Sequence, residues 1–447
     1  MKRQVLIFGT GFQGICDAAR LARLKDVDLH MVDISPYFGG VLHSFPHNGF
    51  FIDKGLHLFS GADSKMLTFL DEILKGELSF ISGTPSSGFA GNVTKNYDLP
   101  DLSHLDKKLR NRILTELLNL PSKNVDSVKN LSQHFKNRFG DTAGNVFADI
   151  FKKLYSINPD EVEASEISKT SLVRLKFGDD EQMMKLKSIP HLDNILAARR
   201  PKNLAAEEIK SYYPSGGRGM LEFANAAKKW LSELGVKIHM NQKINTLSYL
   251  DKKWLIDISG VNYFFDKVIW SNGSVHQLAE VLGHKKLNRS LQMPTSMIFA
   301  IFGIRKEDVF FNPYVQLFDP TDIVARVGAA GLFGNQITDR GETFITCECP
   351  AAVNGSFWTN AEENIEKIWR CLVEYSLVSS RARPSWSKIV RVPKTINFEK
   401  VGSCKQTVKL SDTIFDQYDS IYFRPNPPNF RRDIFSASLD VLEFALR

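Results

Sequence analysis

The chain has 447 residues, is 43% hydrophobic and 24% charged, and carries 29 Gly, 18 Pro and a net charge of +7. These values exclude a disordered, collagen-like or coiled-coil chain, and at roughly 150 residues per domain they allow about two or three domains with a large core. The small basic excess does not require a nucleic acid, and it suits an anionic small ligand.

Lys2 and Arg3 open the chain, but the apolar run after them is only residues 5–8 before Gly9 and Thr10 break it, too short for a secretory signal. No uninterrupted apolar stretch approaches the roughly 18 residues of a membrane span. The five cysteines (Cys16, Cys347, Cys349, Cys371 and Cys404) are an odd number with no CxxC. They point to a reducing compartment, so a cytosolic location is expected.

Residues 5–9 (VLIFG) read as a short buried strand, and GTGFQG follows with Gly9, Gly11 and Gly14 in a GxGxxG frame around Phe12 and Gln13. An apolar helical pattern, ICDAARLARL, leads to a second strand, VDLHMVD, ending in Asp33. In such a unit the first glycine permits the tight turn, the second admits a pyrophosphate, and the third lets helix and strand pack closely. The helix N-terminus offers free N–H groups to phosphates, and Asp33 can accept from ribose hydroxyls. The plainer alternative is a glycine turn in a strand–helix–strand unit that binds nothing.

After Asp33 come ISPYFGGVLHSF and FFIDKGLHLF. A GG pair six residues beyond the acid, followed by Asp-x-Gly-x-His, resembles the FAD-binding domain of the flavin amine oxidase, protoporphyrinogen oxidase and UDP-galactopyranose mutase superfamily. The resemblance implies that Gly39, Gly40 and Val41 line the pyrophosphate and ribityl region and that Leu56 and His57 lie near the flavin ring. Many relatives carry Arg after the GG pair, where this chain has Val41. The resemblance also makes His57 the best candidate for catalytic proton transfer, since an imidazole titrates in the right range; the alternative is a structural hydrogen bond.

Further along, residues 82–92 are turn-rich, and residues 101–200 are expected to be largely helical. A helix with RFG, a second helix and the turn NPDEVEAS resemble the superfamily's helical substrate-side insert, closest to proteins of bacterial polysaccharide gene clusters. The YYPSGGRGM turn (residues 212–220) precedes an amphipathic helix closed by Gly235. VKIHMNQKINTLSYL is expected to be a strand, and the resemblance puts an adenine contact near Ile244. Residues 290–400 are expected to form a mostly antiparallel sheet with one helix, and KIVRVPKTINF to lead toward the last flavin contact.

At the C-terminus a strand (residues 420–423) and a helix from Asp433 are expected, with N–H groups near Asp433 and Ile434 meeting the flavin. The glycines usual there are replaced by Arg424, Pro425 and residues 436–438. Arg424, Arg431 and Arg432 are candidates for an anionic ligand. Tyr155, Arg174, Arg199, Arg200, Tyr213 and Arg218 are candidates for an anionic substrate pocket, because the guanidinium fork suits phosphate and carboxylate. For each arginine a solvated surface role is the alternative.

The expected architecture is α/β. A Rossmann-like FAD/NAD(P)-binding domain (residues 1–80, 205–290 and 400–447) interleaves with a substrate domain of antiparallel sheet plus helices (residues 81–204 and 291–399). The implied activity is that of an FAD-dependent oxidoreductase acting on a sugar or nucleotide sugar of cell-surface polysaccharide biosynthesis. Alternatives are a flavin-dependent mutase or epimerase without net redox change, and a degenerate non-catalytic flavoprotein fold. The expected partner is a small anionic substrate. No metal site, nucleic-acid module or membrane span is legible, and a homodimer is left open.

Overall fold

Val5, Leu6 and Ile7 have no exposed surface in strand β1 (Arg3–Phe8), which is why this run is apolar on both faces. The computed structural model describes residues 2–120, 128–199, 210–271, 273–284, 291–425, 427–428 and 430–446. The chain divides into two compact units, one of residues 1–80, 209–289 and 405–447, the other of residues 81–208 and 290–404.

In the first unit, β1 is followed by helix α1 (Phe12–Leu21) and strand β2 (Val27–Val32). Strands β3 (Lys237–His239), β4 (Lys267–Trp270) and β5 (Ile421–Phe423) complete a five-stranded sheet in the order β3-β2-β1-β4-β5. Every neighbouring pair is parallel. Leu6 and Phe8 share a core with Trp254, Ile256 and Phe265 of a three-stranded antiparallel sheet. Helices Arg431–Ala437 and Asp440–Leu446 pack on α1. The expected single strand after Gly235 is instead two short ones, β3 and Ser248–Leu250. The polar run between them leaves the sheet, and the N–H groups of Asn241 and Gln242 bond the carbonyls of Ser35 and Asp33.

In the second unit seven strands run in the order Trp386–Val392, Met297–Arg305, Glu342–Pro350, Arg326–Gly328, Tyr314–Leu317, Ser86–Phe89 and Asn92–Thr94. Neighbours are antiparallel except Tyr314–Leu317 with Ser86–Phe89. The stretch read as turn-rich, 82–92, therefore contains a sheet strand, because pairing partners far along the chain override weak local propensity. Cys347 and Cys349 point to one buried face, with Ile368, Trp369 and Leu372 of helix Ile365–Glu374.

The helical part centres on Leu131–Tyr155, which is two helices meeting at Gly140 (φ 81°, ψ 170°). Only glycine adopts that φ freely, and a Cβ there would lie 2.8 Å from Glu116 Cβ. Glu116 caps the second half by accepting from Thr142 N (2.7 Å) and Thr142 Oγ1 (2.6 Å). The apolar face of both halves buries Phe135, Phe139, Phe147 and Phe151. Among the described residues no helix is long and apolar enough to cross a membrane.

Candidate functional site

The glycine turn is built for a close approach. A Cβ on Gly14 would fall 2.0 Å from the Gly9 carbonyl oxygen, and Gly9 itself has φ 100°. Gly11 is the opposite case: a Cβ there meets nothing within 4 Å. Gly11 is also the N-cap of α1, with no side-chain cap and no acidic residue in the first turn around Phe12, Gln13 and Gly14. The backbone N–H groups of an uncapped helix start, with the positive end of the dipole, suit an anion. Gly40 closes over this turn, its absent Cβ lying 3.3 Å from Gly11 Cα, and Gly39 N donates to Thr10 O at 3.1 Å. Val41 beside them is exposed.

Asp33, at the end of β2, accepts from Thr10 N and Thr10 Oγ1 through Oδ2 (both 2.8 Å) and from Ser35 N through Oδ1 (2.9 Å). The carboxylate is thus tied to the glycine turn from which it was expected to reach a ribose. Ile244 lies in the coil between β3 and Ser248–Leu250, half-buried against the sheet core.

Three separate sequence marks meet on Asp53, which is almost fully buried. It accepts from Ser44 Oγ (2.5 Å), Tyr213 Oη (2.6 Å) and Met220 N (3.1 Å). Ser44 Oγ in turn accepts from Leu221 N at 2.9 Å. Gly219 closes the turn over this cluster, since a Cβ there would sit 2.7 Å from Ser44 Oγ. Burial pushes the Asp53 carboxyl above its usual range, and its donors work against that shift. Burial likewise pushes the Tyr213 phenol well up. Tyr213 is therefore a corrected expectation: it has no exposed surface and its hydroxyl serves Asp53, so it forms no part of a substrate pocket. Arg218, on the same turn, is exposed.

Next to Asp53 in the chain, Leu56 and His57 are half-buried. Arg431, the first residue of helix Arg431–Ala437, reaches this stretch, with Nη1 on Leu58 O (2.5 Å) and Nη2 on His57 Nδ1 (3.1 Å). Asp433 and Ile434 occupy the same first turn. The two other C-terminal arginines named in the sequence have protein partners. Arg424 pairs with the buried carboxylate of Asp17 on α1 through Nη1 (3.0 Å) and Nη2 (2.9 Å), and Arg432 pairs with Asp433 at 3.1 Å.

In the second unit, the strand register aligns Thr94, Ser87, Gln316, Arg326 and Glu348 in one row across the sheet. The row lies on the face opposite Val315, Val327 and Cys347. Arg326 Nη2 donates to both oxygens of Glu348 at 2.7 Å, and its guanidinium lies 5.9 Å from the Tyr314 ring centre. Tyr314 donates to Asp98 at 3.2 Å. Ser87 Oγ and Arg326 Nε are buried without a hydrogen-bond partner among the described residues. Tyr155 stands by Arg326; burial pushes its phenol up to about 12, and the guanidinium opposes the shift. Tyr155 also packs on Phe151 and Phe398.

Arg174 is exposed, Arg199 is paired with Asp180 at 2.7 Å, and Arg200 lies outside the described residues. Arg326 and Glu348 were not singled out in the sequence, and Arg431 was named there only as one of three C-terminal candidates for an anionic ligand. No motif marks them; only the sheet register and the return of the C-terminal helix bring them to these places.

The uncapped helix start, the glycines of two facing loops and the absence of acidic groups in the first turn fit a dinucleotide pyrophosphate. The model of the family described as flavin containing amine oxidoreductase matches residues 14–351. Among solved structures, reduced UDP-galactopyranose mutase is 15% identical, with 100% of this chain and 96% of that one covered and a TM-score of 0.74. An oxidoreductase from Methanosarcina mazei is 16% identical over 99% and 100% of the two chains, with a TM-score of 0.63. Putrescine oxidase bound to putrescine is 14% identical over the full length of both, with a TM-score of 0.64. No curated protein sequence matches the chain. The chain belongs to the flavin containing amine oxidoreductase family, with FAD as its cofactor.

Proposed function

We propose that the protein is an FAD-dependent oxidoreductase acting on a polyhydroxylated substrate, a sugar or nucleotide sugar of cell-surface polysaccharide biosynthesis. FAD supplies a two-electron acceptor; the chain supplies binding, orientation and electrostatics. The uncapped start of α1 and Gly11, Gly39 and Gly40 would hold the pyrophosphate, with Asp33 on the ribose side and residues 56–57 by the ring.

The observation that carries the substrate reading is the polar row of the second unit. Arg326 has its charge matched by Glu348, so the pair presents donors and acceptors without net charge. Ser87, Gln316, Tyr155 and Tyr314 surround it with hydroxyl and amide groups and two aromatic faces. That composition suits a hydroxyl-rich ring better than an isolated ammonium ion, which would want an unmatched carboxylate.

Anaerobic titration of the FAD-loaded protein with sugars, nucleotide sugars and amines, followed at the flavin absorbance band, tests this. Bleaching by a sugar class is expected. Bleaching by amines alone would overturn it. Conversion of a sugar with no electron acceptor consumed would identify the mutase alternative, and absence of any flavin chemistry would favour the non-catalytic one.

A further inference from the structure

Arginine is a donor only: its guanidinium carries five N–H groups, accepts nothing and stays charged in proteins. Arg431 Nη2 lies 3.1 Å from His57 Nδ1, so Nδ1 must be the acceptor. The proton of the neutral imidazole then resides on Nε2. The guanidinium cannot turn away easily, because Nη1 is bonded to Leu58 O and the Phe59 ring centre lies 5.6 Å from its carbon. Burial brings the arginine down to about 10, while Asp53 and Tyr213 on neighbouring segments hold its charge. Protonation of His57 would set N–H against N–H and cation against cation.

We propose that Arg431 is a positioning residue that locks His57 as the neutral Nε2–H tautomer, so that His57 serves the flavin as a hydrogen-bond donor and not as a base. The role toward the flavin rests on the reading that residues 56–57 lie beside the ring. The tautomer itself stands on the Arg431 contact alone. This revises the proton-transfer role suggested by the sequence, since the nitrogen that would take up a proton faces a permanent cation. A neutral N–H donor placed before reduction stabilises negative charge as it develops, without waiting for a proton.

The test is NMR of the FAD-bound protein with ring-15N-labelled histidine, the His57 signals being identified by their loss in His57→Gln. The expected result is a neutral, Nε2-protonated ring from pH 6 to 9, with the Nε2 resonance moving when bound FAD is reduced. In Arg431→Met nothing donor-only faces Nδ1, so the uniform Nε2-protonated signal should be lost within that range. Arg431→Lys, also donor-only, should restore the wild-type pattern. An Nδ1-protonated ring, or a wild-type imidazolium within that range, overturns the tautomer. An Nε2 resonance indifferent to flavin reduction overturns the donor role. Failure of the wild-type protein to bind FAD would instead count against the functional reading, because the tautomer can be read in the protein alone.

Discussion

Tyr213 donates its hydroxyl to Asp53 at 2.6 Å, joining residues 160 positions apart. Neither group is exposed beyond 4%, so water cannot replace the bond. Tyr213→Phe leaves the ring packing intact and removes one of three donors from a buried carboxyl. A loss of about 1–3 kcal/mol in unfolding free energy is expected, read by urea denaturation. An unchanged midpoint would mean that Ser44 and Met220 alone satisfy Asp53.

The two glycines of the turn should fail in different ways. Gly14→Ala drives a methyl to within 2.0 Å of a carbonyl oxygen and should lower the melting temperature even without cofactor. Gly11→Ala meets no protein atom and should leave stability within about 0.5 kcal/mol, as neutral substitutions do. If Gly11 admits the pyrophosphate, that variant should nonetheless purify colourless. Melting curves and flavin absorbance of the pair separate the two effects.

Asp17 and Arg424 form a buried pair, 0% and 9% exposed in their side chains. Burial pushes the Asp17 carboxyl up, and the hydrogen bonds and charge of Arg424 oppose it. Arg424→Met strands the carboxylate, at a cost of about 3–5 kcal/mol. The double variant Asp17→Leu with Arg424→Met should recover most of that loss in chemical denaturation, since two apolar groups need no partner.

His30 supplies a pH dependence. It is 2% exposed, and burial first, then Lys237 and His239, bring its ring down to about 4, against the opposing pull of Asp28. The folded ring is therefore neutral at pH values where the unfolded ring is already protonated. Its contribution is complete above pH 6.5 and is lost as pH falls from 6.5 toward 4, of the order of 3 kcal/mol in total. His30→Phe should lack this loss, so the stability difference between wild type and variant should change across that window and be flat above it.

The parts of the fold that were legible in the sequence are those where local chemistry has one solution. Gly9, Gly11 and Gly14 sit between an apolar strand and an apolar helix, and Gly140 interrupts a helical run with a φ other residues avoid. The strand Ser86–Phe89 was hidden in part because one of its two partners is residues 315–317, more than 200 positions away, the other being the short neighbouring strand Asn92–Thr94. Tyr213 was misread for a related reason. An aromatic hydroxyl beside a glycine turn looks the same in sequence whether it faces ligand or a buried acid, and Asp53 lies 160 residues earlier. Arg326 and Arg431 carry no local signature; an arginine declares a role only through what is set against it.

The Asp17–Arg424 pair also bears on how the protein comes into being. Its members are 407 positions apart, at opposite ends of the chain. During synthesis the first strand and helix leave the ribosome long before the cation that neutralises Asp17. Until residue 424 emerges, seating α1 would bury an unmatched carboxylate. The first unit is therefore expected to mature only after residue 424 has left the ribosome, and nascent chains stalled short of that point should remain targets for chaperones and proteases.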